Sequence, residues 1–283
     1  MNLKKILISF LTMIFLVANS SILAFAGTTD DPDYAETHHS FETAYNVGMW
    51  NYKSVIGIMS SETDTDYYKI YVSAGDSLAI ELKDIPTSCD YNLELYNQYK
   101  TNIASSSKGH NSNRIIRYDA VNSGDYYVKV SFNSGISPTS GTNTYIVNFI
   151  DRYKTTTSSF DFMPSSISCS GGGAYSSTAT LNLQNNSSIP STAIVKSVKV
   201  TGAMSKSLGN TSVELQNSSE RIWYSSKIAT TSVNSYFKEI TVAKKMPLKS
   251  TWNARYTTLA YLSSNISQLK LEVTYEYDST ANL

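Results

Sequence analysis

Apolar and polar residues alternate one by one through much of this chain. Tyr68, Ile70 and Val72 alternate with Tyr67, Lys69 and Tyr71, and Leu78, Ile80 and Leu82 with Ser77, Ala79 and Glu81. Tyr126, Val128, Val130 and Phe132 repeat the pattern, as do Leu269, Leu271, Val273, Tyr275 and Tyr277 near the C-terminus. A period of two puts one face of a strand on a core and the other in water, as antiparallel sheets do. Past residue 26, no run of a dozen residues keeps apolar side chains at helical spacing. Turn signals separate the alternating runs: Ser73-Ala74-Gly75-Asp76, Asn122-Ser123-Gly124-Asp125 and Asn133-Ser134-Gly135.

The second half continues in the same manner, with strands expected over 191–202, 211–216, 236–245 and 267–278. Trp252, Ala254 and Tyr256 share one face of a further strand, which assigns Trp252 to a core. The weakest packing signal lies at Lys154-Thr-Thr-Thr-Ser-Ser159, where a boundary between domains is expected, and 170–177 (Ser-Gly-Gly-Gly-Ala-Tyr-Ser-Ser) reads as a flexible loop or hairpin connection. The fold class is all-β: two β-sandwich or jelly-roll domains.

The N-terminus has the layout of an export signal. Lys4 and Lys5 lead an apolar run from Ile6 to Val17, and Ala24-Phe25-Ala26 supplies the small residues of a cleavage site. The run is too short to span a bilayer comfortably. Cleavage after Ala26 removes both lysines and leaves 21 basic against 23 acidic residues, a net charge of −2. That balance favours neither nucleic acid nor an anionic membrane. A secreted, extracellular protein is expected, with surface association left open and no membrane span after cleavage. Cys89 and Cys169 fall in different expected domains; a disulfide between them and two isolated buried thiols both remain open.

Catalytic machinery is hard to find. The segment from 160 to 283 contains no histidine, so a nucleophile–histidine pair cannot form within it. His110 lies in a turn-like stretch with no Ser or Cys motif around it. The acids of the second half, Asp161, Glu214, Glu220, Glu239, Glu272, Glu276 and Asp278, could serve a glycosidase-like hydrolysis only if two of them converged in space; ordinary surface charge is the reading adopted. Among the aromatic residues of that half, Trp223 and Tyr224 are the candidates for a binding contact.

Residues 36–150 resemble the bacterial pre-peptidase C-terminal domain, which is related to the collagen-binding modules of clostridial collagenases. The resemblance is carried by Glu36 with Ser40-Phe-Glu-Thr-Ala44, by Gly57, by Asp64–Leu82, by Asp90–Asn97, by Asn122–Ser131 and by the closing Thr144–Phe149. It implies a jelly-roll scaffold, and a calcium site drawing on Glu36, Asp64 and Asp66. Relatives often carry Asn or Asp where His38 and His39 stand, and imidazoles cannot replace the oxygen donors that calcium requires. Adjacent residues on an extended chain face opposite ways, so at most one of the two could join Glu36 and Asp66 at zinc. The pair reads as a solvated loop dipeptide.

The resulting division is a signal at 1–26, an acidic flexible lead at 27–35, a domain at 36–152, a linker at 153–165 and a second sandwich at 166–283. The expected function is that of a non-catalytic binding or surface-accessory protein contacting an extracellular polymer, matrix protein or cell-envelope component. Alternatives are a carboxylate-dependent hydrolase in the second domain, or a partner or inhibitor of a separately encoded peptidase.

Overall fold

The computed structural model describes residues 38–106, 112–136, 143–206, 209–228 and 230–283, together with the main chain of 28–30. The signal, Glu36 and His110 lie outside the described residues. The chain divides into two units, Met1–Ile150 and Asp151–Leu283.

The first unit is built from β1 (Thr28–Asp30), β2 (Tyr45–Met49), β3 (Ser54–Ile58), β4 (Thr65–Val72), β5 (Ser77–Lys83), β6 (Cys89–Tyr96), β7 (Asn102–Ser106), β8 (Arg114–Asp119), β9 (Gly124–Gly135) and β10 (Thr144–Asp151). They form two sheets, ordered β1-β3-β10-β5-β8 and β2-β4-β9-β6-β7. The inward residues of both sheets, among them Tyr68, Ile70, Val72, Leu78, Ile80, Leu82, Leu93, Leu95, Val128 and Val130, merge into a single buried cluster. Each is buried as its alternation assigns, and on β4 and β9 a one-residue slip would turn these residues into water. On β5 the other face is covered too, so Ala79 and Glu81, expected in water, are also buried.

Buried polar contacts tie the two sheets together. Arg114, at the start of β8, is fully buried and donates to Asp90 of the opposite sheet, to the Tyr91 carbonyl at 3.1 Å and to the Ser112 carbonyl. The second carboxylate oxygen of Asp90 accepts from Asn133 at 2.8 Å.

The second unit comprises β11 (Tyr153–Asp161), β12 (Ile167–Cys169), β13 (Ala179–Asn182), β14 (Ile194–Met204), β15 (Thr211–Asn217), β16 (Trp223–Ile228), β17 (Ser232–Tyr236), β18 (Thr251–Thr258) and β19 (Ser264–Asp278). Its sheets are β11-β19-β14-β17, with β12 also on β19, and β13-β18-β15-β16. Counting β3 as the first strand of one unit and β11 with β12 as the first of the other, both follow the same jelly-roll order. The first, eighth, third and sixth strands form one sheet, and the second, seventh, fourth and fifth form the other. The two halves thus share a topology that no repeat in the sequence announces. Trp252 is fully buried, with its indole N–H on the Leu248 carbonyl at 3.2 Å.

Several expectations need correction. Residues 153–165 are not a linker: β11 pairs with β19 from Tyr153↔Asp278 to Asp161↔Lys270. Its side chains are mostly exposed, so the strand is held by the backbone ladder and by pairs such as Thr157–Thr274 (2.9 Å) rather than by a buried face. The lead is not wholly unstructured, since Thr28–Asp30 runs parallel to β3. The strand expected over 236–245 stops at Tyr236, where Phe237 and Ile240 turn inward three residues apart before a 3-10 turn at Val242–Lys244. The glycine loop is braced: Gly171, Gly172 and Gly173 all have positive φ, and Gly172 and Gly173 donate to the carbonyls of Ala260 and Thr258, both at 2.8 Å. Cys89 and Cys169 are buried thiols in separate units; Cys89 lies 3.5 Å from the Ile136 carbonyl oxygen, and Cys169 lies 3.1 Å from that of Ala174.

Candidate functional site

Two arrangements stand out, one in each unit. In the first, residues 38–40 run beside the start of β4, anchored by the Tyr67 N–H on the His38 carbonyl at 2.9 Å. Asp64 and Asp66, two residues apart, both point inward and are buried. One oxygen of Asp64 accepts from the Ser60 N–H at 2.6 Å and from the Ser60 hydroxyl at 2.7 Å. Its other oxygen, Oδ1, faces Nδ1 of His39 at 3.1 Å, and that nitrogen also lies 3.2 Å from the Thr65 carbonyl oxygen. Nδ1 of His38 lies 3.6 Å from Oδ1 of Asp66. The Tyr145 hydroxyl donates to the second oxygen of Asp66, and itself contacts the Tyr68 hydroxyl at 2.6 Å.

The histidines are therefore not a solvated dipeptide. His39 is partly exposed, whereas His38 is only 2% exposed, packed against Tyr45 and Tyr68. The sequence conceals this because the polar partners lie 25 residues or more away along the chain. Calcium fits these donors poorly. It wants six to eight oxygens, while Asp64 and Asp66 each have one oxygen committed to protein hydroxyls and the neighbouring imidazoles supply none.

Burial pushes the Tyr145 phenol well above its ordinary range, helped by Tyr68 and Asp66; burial likewise raises Tyr91, and raises Tyr126 to about 12. A phenol whose pKa is raised in the fold loses protons in the unfolded chain first. The stability of the first unit is therefore intact below about pH 10 and declines as the pH rises from there through 12. An absorbance titration of tyrosinate, run beside circular dichroism, should show these phenols ionising together with unfolding. Ionisation of every tyrosine near pH 10 with the fold retained would contradict this.

In the second unit, outward residues of β13-β18-β15-β16 form an ordered face. The Arg255 guanidinium carbon lies 3.8 Å from the centre of the Tyr175 ring and 4.1 Å from that of Trp223. Glu214, the cross-strand neighbour of Arg255, fixes it with contacts of 2.8 Å to Nε and to a terminal nitrogen, and accepts from the Tyr175 hydroxyl at 3.3 Å. Beside it a row crosses the strands: Thr180 donates to Asn253 at 2.9 Å, Asn253 to Gln216 at 3.2 Å, and Gln216 is the cross-strand partner of Trp223. Trp223 belongs to this face. Tyr224, pointing the other way on β16, is buried, donates to Glu220 and accepts from Lys244 at 2.8 Å. Tyr175 and Arg255 escaped the sequence reading, although Arg255 is the polar residue between Ala254 and Tyr256 and so had to face outward.

Six of the eight acids of this unit, all but Asp151 and Glu239, pair with cations one at a time: Asp161 with Lys270, Glu214 with Arg255, Glu220 with Lys244, Glu272 with Lys199, Glu276 with Lys196 and Asp278 with Arg152.

Residues 64–131 match the family of the bacterial pre-peptidase C-terminal domain. The matched stretch lies within the first unit. The match takes in β4 through most of β9, including Asp64, Asp66, Asp90 and Arg114. Over almost its full length the chain is similar to the uncharacterized protein YbdN of Bacillus subtilis (strain 168), with 27% identity over 290 residues covering 98% of each. Among solved structures, it is similar to the pre-peptidase C-terminal domain of collagenase from Bacillus anthracis (17% identity, 38% of this chain, 93% of that one, TM-score 0.30). It is also similar to a putative secreted protein from Eubacterium rectale (11% identity, 88% and 84%, TM-score 0.36). Among the described residues no helix is long and apolar enough to cross a membrane.

Proposed function

We propose that this is an exported, non-catalytic binding protein, and that the outer face of β13-β18-β15-β16 contacts an extracellular polymer or a cell-envelope component. The observation that carries this reading is the arginine held between Tyr175 and Trp223 and pinned by Glu214. Side chains fixed before an encounter lose little entropy in it, and aromatic and arginine residues are the types that anchor interfaces. The adjoining Thr180–Asn253–Gln216 row supplies neutral hydrogen-bonding groups suited to hydroxyls and amides. Pairing of six of the second unit's eight acids with separate cations supports a non-catalytic role, since carboxylate hydrolysis needs two acids facing one bond. Export rests on the charged, apolar and small-residue pattern of residues 1–26.

Sedimentation with peptidoglycan, chitin or cellulose, and capture on immobilised collagen, should retain the protein on one of the four. Trp223→Ala and Tyr175→Ala should each weaken retention at least about tenfold, while Tyr224→Phe leaves it unchanged. Retention on none of the four, or retention indifferent to both aromatic truncations, would reject this face as the contact.

A further inference from the structure

We propose that His39, Asp64 and Asp66 form a site for a borderline divalent ion of the zinc class rather than for calcium. One ligand atom from each of the three lies within 4.8 Å of the others. Two donors that each sit about 2.0–2.1 Å from one ion, at tetrahedral or octahedral angles, are about 2.8–3.4 Å apart. The 3.1 Å between Nδ1 of His39 and Oδ1 of Asp64 falls in that interval.

A second observation is independent of the clustering. Asp64 is 7% exposed and its Oδ1 accepts no hydrogen bond. The two Ser60 contacts on the other oxygen prevent the carboxylate from rotating away, so Oδ1 stays aimed at the imidazole. Tyr145 holds Asp66 in the same manner. Orienting contacts of this kind around metal ligands are what make a site rigid enough to select an ion. The Thr65 carbonyl, 3.2 Å from Nδ1, offers one further oxygen. A nitrogen donor with two carboxylates suits the zinc class, which is satisfied by four ligands including water.

The test uses untagged, metal-stripped full-length protein titrated separately with zinc chloride and calcium chloride. Zinc at about 100 times its Kd should raise the Tm of the first unit by about 5 °C or more, and a chelator should reverse the rise. His39→Ala should abolish the rise while leaving the metal-free Tm within about 2 °C, because the side chain is partly exposed. If His39→Ala lowers the metal-free Tm further, His39→Asn takes its place, with the same expectation for zinc. The proposal is overturned if zinc leaves the Tm unchanged, if the histidine variant keeps the zinc response, or if calcium produces an equal or larger rise.

Discussion

Replacing Arg114 by alanine should cost the first unit about 3–5 kcal/mol, the range observed when one member of a buried ion pair is removed. Arg114 is fully buried, and Asp90 is only 4% exposed. Without the guanidinium, that carboxylate keeps one neutral amide contact, from Asn133, and otherwise loses its counter-charge in a site closed to water. The Tyr91 and Ser112 carbonyls lose their donor at the same time. Because Arg114 stands in one sheet and Asp90 in the other, the loss loosens the closure between sheets rather than a single strand. Chemical denaturation should register the change as a lower midpoint for the first unit alone. The double variant Arg114→Met with Asp90→Asn should be less damaging than Arg114→Met by itself, since no charge is then stranded. A single variant within about 1 kcal/mol of the parent, or a double variant worse than the single, would refute this account of the pair.

How much of this could be read from residue order follows from what stabilises each part. Strands with one buried face were legible: the Tyr68–Val72 and Leu269–Tyr275 alternations put the right residues inside, whereas β5 buries both faces, with Ala79 and Glu81 hidden as well as Leu78, Ile80 and Leu82. The strand β11 was not, because neither of its faces is consistently apolar and its order comes from a backbone ladder to residues more than a hundred positions away. The same limit hid the shared strand order of the two units, which is a property of long-range pairing and leaves no trace in local periodicity.

The candidate sites divide along similar lines. Asp64 and Asp66 came to notice through the family resemblance, but the burial of His38 and the approach of His39 to Asp64 depend on contacts from a separate strand. Trp223 and Tyr224 looked equivalent as neighbours in a sequence. Their opposite fates follow from the period of two, which had to send one outward and one inward. The residue that organises the outer face, Arg255, was hidden by its ordinary chemistry: an outward cation on a strand is unremarkable until two rings are found around it.

Gly57→Ala should be the other severe substitution, costing between about 2 and 6 kcal/mol, the sum of an overpacked core and a hydrogen bond lost to a buried carboxylate. Gly57 lies on β3 directly opposite Tyr145 on β10, and the tyrosine ring covers the glycine backbone. A β-carbon there would stand 2.3 Å from Cζ of Tyr145 and 2.4 Å from both the Tyr145 and Tyr68 hydroxyl oxygens. These rings have nowhere to retreat: both tyrosines are fully buried, and their hydroxyls meet at 2.6 Å beside Asp66. The added methyl must therefore separate Tyr145 from Asp66 or push the sheets apart. A double-mutant cycle with Tyr145→Phe distinguishes the two routes. If the methyl acts through the hydroxyl contact, the double variant loses less than the sum of the single losses, because part of the collision and the contact at stake are already gone. Strict additivity would place the damage in the backbone of β3 instead. A Gly57→Ala protein melting with the parent would show that the tyrosine pair does not hold the two sheets in register.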